Sequence, residues 1–306
     1  MRALLLYNPN ATSTTPAVTD VISRALSAEL KLDVEATKRR DHASFLAAGA
    51  VHEGYEVVIA LGGDGTVNEV MQGVARTDVR LAVIPGGSTN VWARTLGLPN
   101  DPVEATSAIL AKLRGAEERT VNLGAANGRY FGFTCGFGYD AEVVRYVERR
   151  YRLKRAVRQA SFVYCGAMAY RGGAGGRHRW PKTDITLVAD GREIVRGLRS
   201  AVCCNSNPFT YLGSRPAQLC PDADLDKGLD VTGITKISFV GLARIARTTL
   251  TSSGVSRLRS VRTWHDGRAY DLTSATPLAL QVDGDFVGET GRVELRSVPS
   301  ALRVVA

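Results

Sequence analysis

The densest chemistry in this chain lies in Gly62-Gly63-Asp64-Gly65-Thr66, where three glycines, a carboxylate and a hydroxyl share five positions. Glycines let a backbone come close to a phosphate, and bare amides at the start of a helix bind anions. Asp64, a carboxylate among those amides, fits a cation or a hydroxyl proton arriving with the anion. Similar small and polar residues fill Asn8-Pro9-Asn10-Ala11-Thr12, the position of Thr37, and Pro85-Gly86-Gly87-Ser88-Thr89-Asn90. One such turn needs no ligand to explain it, but four gathered on one sheet edge predict a nucleotide site. Neither G-x-x-x-x-G-K-[ST] nor G-x-G-x-x-G occurs, so the P-loop and the standard dinucleotide fingerprint are both excluded.

The elements around these turns must bring them together. Val57 to Leu61 is an unbroken apolar run, which reads as a strand covered on both faces, and apolar residues at 67, 70, 71 and 74 mark one helix face. The Thr66-x-x-Glu69 spacing of a capping box places the first helical turn at Val67. Strands at 3–7, 32–36, 56–61 and 80–84 alternate with helices from Pro16, near 42–52 and over 67–75, a βαβα pattern with parallel strands. Asp101-Pro102-Val103-Glu104 opens one more helix with an N-cap residue, a proline and a capping glutamate. The fold expected here is α/β, a doubly wound, Rossmann-like parallel sheet. Past about residue 120 the grammar changes to glycine-punctuated β runs at 129–134, 184–189, 193–198, 200–204, 229–234, 260–264, 269–273, 278–283, 286–288 and 292–296. With Asp-Gly pairs at 190–191 and 266–267 as hairpin turns, these runs predict an antiparallel β domain. The expected division is 1–122 and 123–299, with a final strand at 300–306 returning to the first domain.

A chain of 306 residues, 44% of them hydrophobic, supports a sizeable core and two modest domains. Its net charge of +9 favours an acidic partner, which nucleic acid, nucleotide phosphates or an anionic membrane would satisfy. Five cysteines without a C-x-x-C pair, two of them adjacent in an apolar run, read as small core residues of a reducing compartment. No apolar run approaches the roughly 20 residues of a spanning helix, and the four histidines have no ligand-like spacing.

Gly62 to Val70 resembles the nucleotide loop of the diacylglycerol kinase catalytic domain, the soluble lipid kinase family that includes sphingosine and ceramide kinases. The resemblance runs along most of the chain. Asn8-Pro9 matches the family's first loop, Thr37 its second-strand threonine, and Pro85 to Arg94 its P-x-G-T-x-N-x-x-A-R segment, with Ser88 in the threonine's place. Gly136 to Ala141 matches a G-x-G-x-D-A turn containing Asp140, and Asp283-Gly284-Asp285 a D-G-E triplet. The family implies ATP- and Mg2+-dependent phosphorylation of a lipid hydroxyl, and a β-sandwich as the second domain. It implies that Asn8, Pro9, Asn10, Ala11, Thr12, Thr37, Gly62, Gly63, Asp64, Gly65, Thr66, Val67, Asn68 and Ser88 bind ATP. Asp64 would orient the phosphates through magnesium, and Asp285, in place of the family's glutamate, would take the acceptor's proton. The same position is also explained by an ordinary hairpin turn.

Pro221 to Asp230 resembles a second magnesium segment, but Lys227 occupies the ligand position, leaving Asp226 as substitute or the site absent. Seven cations between Arg145 and Arg158, Arg149, Arg150 and Arg152 among them, alternate with apolar residues and read either as a membrane-surface patch or as a solvated helix face. The expected protein is a cytoplasmic lipid kinase, peripheral on the inner membrane surface, with no nucleic-acid partner and a homodimer among its allowed states. Its favoured acceptor is diacylglycerol; sphingoid-base kinase, NAD kinase and a nucleotide-dependent lipid-binding module are the alternatives.

Overall fold

The computed structural model describes residues 1–149, 183–251 and 254–306. Arg150, Arg152, the glycine run 172–176 and the side chain of Arg149 lie outside the described residues. The chain divides into two compact units, Met1–Leu123 with Val298–Ala306, and Gly124–Ser297.

In the first unit β1 (Arg2–Tyr7), β2 (Lys31–Ala36), β3 (Val57–Gly62) and β4 (Arg80–Pro85) are parallel, in the spatial order β4-β3-β1-β2. β3 is buried along its whole length, as its uninterrupted apolar sequence requires, while edge strand β2 is largely exposed. The helices are α1 (Pro16–Ser27), α2 (His42–His52), α3 (Asp64–Val74), the short α4 (Val91–Thr95) and α5 (Pro102–Arg114). Thr15 and Asp101 cap α1 and α5 by accepting amide hydrogen bonds, each followed by a proline whose missing N–H costs nothing there. Val304 at the chain's end pairs in parallel with Leu81 of β4. The strand order reverses between β1 and β3, so the unit's topological switch point lies at the carboxyl ends of Tyr7 and Gly62.

One helix start differs from expectation. α3 begins at Asp64 rather than Val67, with Gly63 as its N-cap and the Val67 amide bonded to the Gly63 carbonyl at 3.2 Å. The Thr66–Glu69 capping box does not form. Glu69 instead accepts from the amides of Asp41 and Ala43 at 2.9 and 3.0 Å and so caps α2, whose N-cap residue makes no side-chain cap bond. Spacing cannot distinguish a glutamate that bonds back into its own helix from one that reaches the next.

The second unit is antiparallel. After β5 (Arg119–Ala126) come β6 (Arg129–Phe131), β7 (Thr134–Gly138), α6 (Tyr139–Arg149), β8 (Ile185–Ala189), β9 (Arg192–Leu198), β10 (Ser200–Cys204), β11 (Thr210–Leu212) and β12 (Arg215–Ala217). They are followed by β13 (Leu229–Ile234), α7 (Phe239–Thr249), β14 (Val261–Gly267), β15 (Ala269–Val282) and β16 (Asp285–Val304). The first half of β15 pairs with β8 and its second half with β7, across a register shift between Thr273 and Leu278. One bent strand thereby serves both layers of a sandwich, whose core holds Phe131, Phe137, Leu187, Leu198, Tyr270 and Leu295. Cys203 and Cys204 point to opposite faces of β10 into two buried clusters, which is the small-hydrophobe role expected of them.

Asp190-Gly191 forms its hairpin, both residues at positive φ between paired Ala189 and Arg192. Asp266-Gly267 does not: β14 pairs with β13, not with β15. The Asp266 φ of 52° instead accommodates a bulge opposite Asp230, whose buried carboxylate accepts from the Asp266 amide at 2.9 Å. No helix among the described residues is long and apolar enough to cross a membrane.

Candidate functional site

The turns that follow β1, β3 and β4 are bonded to one another. The Asn8 amide donates to Leu61 O at 3.1 Å, the Gly86 amide to Gly62 O at 2.7 Å and the Ser13 amide to Gly86 O at 2.8 Å. The Thr14 hydroxyl, buried, donates to Asn8 O, and Asn8 Oδ1 accepts from the Asn10 amide. Thr37 joins at the end of β2 through its amide to Tyr7 O at 2.8 Å. The glycines are there because nothing larger fits: a Cβ on Gly87 would lie 2.7 Å from Gly63 Cα, and one on Gly86 would lie 3.0 Å from Gly62 Cα. Asn90, buried at φ 51°, accepts from the Gly87 amide at 2.8 Å and donates to Gly87 O at 3.0 Å.

Asp64 is the first residue of α3, and its Oδ1 accepts from the Trp92 amide at 3.0 Å, so one carboxylate ties together the starts of α3 and α4. Ahead of the first intrahelical bond stand the amides of Gly63, Asp64, Gly65 and Thr66, an anion-binding arrangement. Ser88, Pro9, Asn10 and Thr12 are exposed beside them. Three side chains of the expected ATP set, those of Thr66, Val67 and Asn68, are buried. Val67 is buried, with its amide spent on Gly63 O, and Asn68 is buried with its Oδ1 accepting from Gln72. Val67 shares the packed face of α3 with Val70, Met71 and Val74, as the apolar pattern predicts.

In the second unit, Asp283 and Asp285 have different surroundings although they are two residues apart. Asp283 is buried and its carboxylate accepts from the amides of Gly132, Phe133 and Thr134 at 2.7 to 2.9 Å, clamping the β6–β7 connection. Asp283 and Gly284, at φ 48° and 81°, form a two-residue hairpin turn, and half-buried Asp285 follows it opposite Val282. Glu148 of α6 holds the next residue, accepting from the Phe286 amide at 2.9 Å. Asp140 Oδ2 accepts from Gln281 Nε2 at 2.9 Å, and Gln281 Oε1 accepts from the Gly284 amide, so Asp140 is linked to the same turn. Desolvation raises the Asp140 pKa, with the Gln281 bond opposing it. Only glycine fits at 136, where a Cβ would lie 2.0 Å from Asp140 Oδ2.

Asp226 is exposed in the Pro221–Asp230 segment of the second unit. Asp224 Oδ1 accepts from its amide at 3.0 Å in a local turn, and among the described residues no three His, Cys, Asp or Glu side chains are placed to hold a metal.

The model of the diacylglycerol kinase catalytic domain matches residues 2–124, the stretch that carries the glycine turns. A diacylglycerol kinase of Staphylococcus aureus (strain bovine RF122 / ET3-1) is 30% identical over 296 residues, covering 94% of this chain and 87% of that protein. The chain belongs to the diacylglycerol kinase family. It is therefore a kinase, a phosphotransferase, as its relatives are. Among solved structures, a diacylglycerol kinase from Bacillus anthracis str. Sterne superposes with a TM-score of 0.72 at 18% identity, over 99% of this chain and 96% of that one. An NAD kinase from Archaeoglobus fulgidus in complex with ATP gives 0.56 at 12% identity, over 100% and 94%. These two likenesses show the fold, with its doubly wound and β-rich parts.

Three side chains beside the expected residues escape a reading by motif: Thr14 in the first unit, and Gln281 and Glu148 in the second, each acting through backbone or through another carboxylate. Only Asn90 left a trace in the sequence, as an asparagine three residues beyond a Gly-Gly pair and able to adopt a left-handed conformation.

Proposed function

We propose that this diacylglycerol kinase family member transfers the γ-phosphate of ATP to the free hydroxyl of diacylglycerol, giving phosphatidic acid and ADP. The observation that carries the reading is the pair of interlocked glycine turns, Gly62-Gly63 against Gly86-Gly87, at the switch point where open α/β sheets bind nucleotides. The amides of Gly63 to Thr66 meet the phosphates, and Asn8 to Thr12, Thr37 and Ser88 surround the rest of the nucleotide. Magnesium, when bound, neutralises phosphate charge. Asp64 is the residue to hold it, since that ion keeps much of its water and needs only one or two protein carboxylates beside the phosphates. Asp285 is the general base: it takes the proton of the lipid hydroxyl as that oxygen bonds the γ-phosphorus and the bond to the ADP oxygen breaks. Asp140, linked through Gln281 to the Asp285 turn, orients that turn towards the lipid. Arg149, Arg150 and Arg152 hold the protein peripherally on the anionic inner membrane surface. The test is labelled ATP with purified protein and mixed micelles of diacylglycerol, a sphingoid base or neither, with NAD in a parallel reaction. Label on diacylglycerol that disappears in Asp285→Asn is the expected result. Label on NAD, or on no acceptor, would sink the reading.

A further inference from the structure

Helix α7 has an outward face unlike that of an ordinary surface helix. Its exposed positions are Phe239, Val240, Ala243, Arg244 and Arg247, with Leu250 at the C-cap. At 3.6 residues per turn these six fall in a sector of roughly 140°. Phe239 and Val240 are 61% and 58% exposed, and Leu250 37%. The opposite face is packed. Ile245 is buried in the cluster around Cys204 and Cys220, and Leu242 lies against Tyr139, Val143, Tyr146 and Val147 of α6. A helix with one buried face normally carries mixed charges on the other. Here the other face holds apolar residues and arginine alone.

The charge along this stretch of the chain is equally one-sided. From Thr235 to His265 the chain carries Lys236, Arg244, Arg247, Arg257, Arg259 and Arg262 and no aspartate or glutamate. Neither Arg244 nor Arg247 forms an ion pair with any described residue. A phosphodiester polymer would meet the arginines but gain nothing from a bare phenylalanine beside a valine. A protein groove would meet the apolar pair but leave the surrounding cations without acids unless it supplied them. An anionic bilayer satisfies both at once, because its headgroups take the cations while Phe239, Val240 and Leu250 enter the acyl boundary.

We propose that the outward face of α7 is a membrane-docking surface for anionic lipid. It is a different segment of the chain from Arg149–Arg152, and it deepens the lipid-kinase reading, on which its purpose rests. Sedimentation of the full chain with vesicles of phosphatidylglycerol and phosphatidylcholine, without nucleotide, tests it directly. Wild type should pellet with the mixed vesicles and not with pure phosphatidylcholine. F239S/V240S should bind about tenfold more weakly, and R244Q/R247Q should weaken by a similar factor that shrinks as salt is raised. Both pairs are exposed, so circular dichroism should match wild type. A Phe239→Trp variant should shift its emission to the blue on binding. Vesicle binding unchanged in F239S/V240S, or an emission that does not move in the Phe239→Trp variant, overturns the proposal. So does retention on duplex DNA stronger than on vesicles. Turnover of a short-chain, water-dispersed diacylglycerol is measured separately, and its absence alongside intact, Phe239-dependent vesicle binding would remove the enzyme reading while supporting this surface.

Discussion

On the proposed reading, Asp64 has two duties that one substitution can separate. Its Oδ1 accepts the Trp92 amide, a bond that an asparagine oxygen can also accept, while the negative charge that attracts magnesium belongs to the carboxylate alone. The charge at the first position of α3 is also favourable to the helix dipole by about 0.3–1 kcal/mol. Asp64→Asn is therefore expected to lose turnover by roughly 10²-fold or more while unfolding within about 1 kcal/mol of wild type. A kinase assay beside a denaturant titration reads both, and full activity in the variant would remove Asp64 from the site. Asp140 gives the opposite pattern. Its folded pKa is raised by burial, so the native state binds more protons than the unfolded chain, whose aspartates titrate near about 3.9. Its ionisation thus costs stability as pH rises through the folded value, and the cost is absent below the unfolded one. Asp140→Asn should raise Tm at pH 7, with the gain vanishing as pH is lowered towards 4. A variant less stable than wild type at pH 7 would mean that the ionised carboxylate is itself held by the turn.

At the scale of elements, the site depends on two βα turns touching through their backbones. Gly87→Ala tests that contact, since the added Cβ would lie 2.7 Å from Gly63 Cα and 2.9 Å from Asn90 Oδ1. Neither neighbour can swing away, the first being main chain and the second bonded to Gly87 itself. We expect the KM for ATP to rise at least tenfold and stability to fall by about 1–3 kcal/mol. An unaltered KM would mean that the turns need not touch to bind nucleotide. How legible these elements were follows from the range of the forces involved. Strand β3, the start of α1 and the cap of α5 are set by local pattern, and the sequence predicts them within a residue or two. The start of α3 is not local: Gly63 is an N-cap without a side-chain bond, and Glu69, which would have closed a capping box, is drawn off by the amides of Asp41 and Ala43 at the start of α2. In the same way Asp266-Gly267 reads as a hairpin until β13 takes the pairing that the hairpin would have needed. The candidate site divides likewise, its glycines and Asp64 being visible as a motif and Thr14, Gln281 and Glu148 emerging only from contacts between distant segments.

For the molecule as a whole, the net charge of +9 matters by where it lies. A uniformly basic surface would bind any polyanion, whereas two cationic segments interleaved with apolar residues favour a bilayer. The outward face of α7 is legible only once the fold shows a helix over Phe239–Thr249 whose Phe239 and Val240 are not part of the core. The Arg149–Arg152 segment, which the sequence offers either as a membrane-surface patch or as a solvated helix face, lies outside the described side chains and is tested in solution. Each cation near an anionic surface contributes about 1 kcal/mol, so replacing Arg149, Arg150 and Arg152 together by glutamine should weaken binding to phosphatidylglycerol vesicles by roughly 10²-fold at low ionic strength. Because that contribution is screened within a Debye length, the loss should shrink severalfold at about 0.5 M salt, whereas the F239S/V240S loss should persist there. A vesicle titration at two salt concentrations separates the two sets. Loss from the triple substitution that does not respond to salt would mean that these arginines act through the fold and not through the lipid surface.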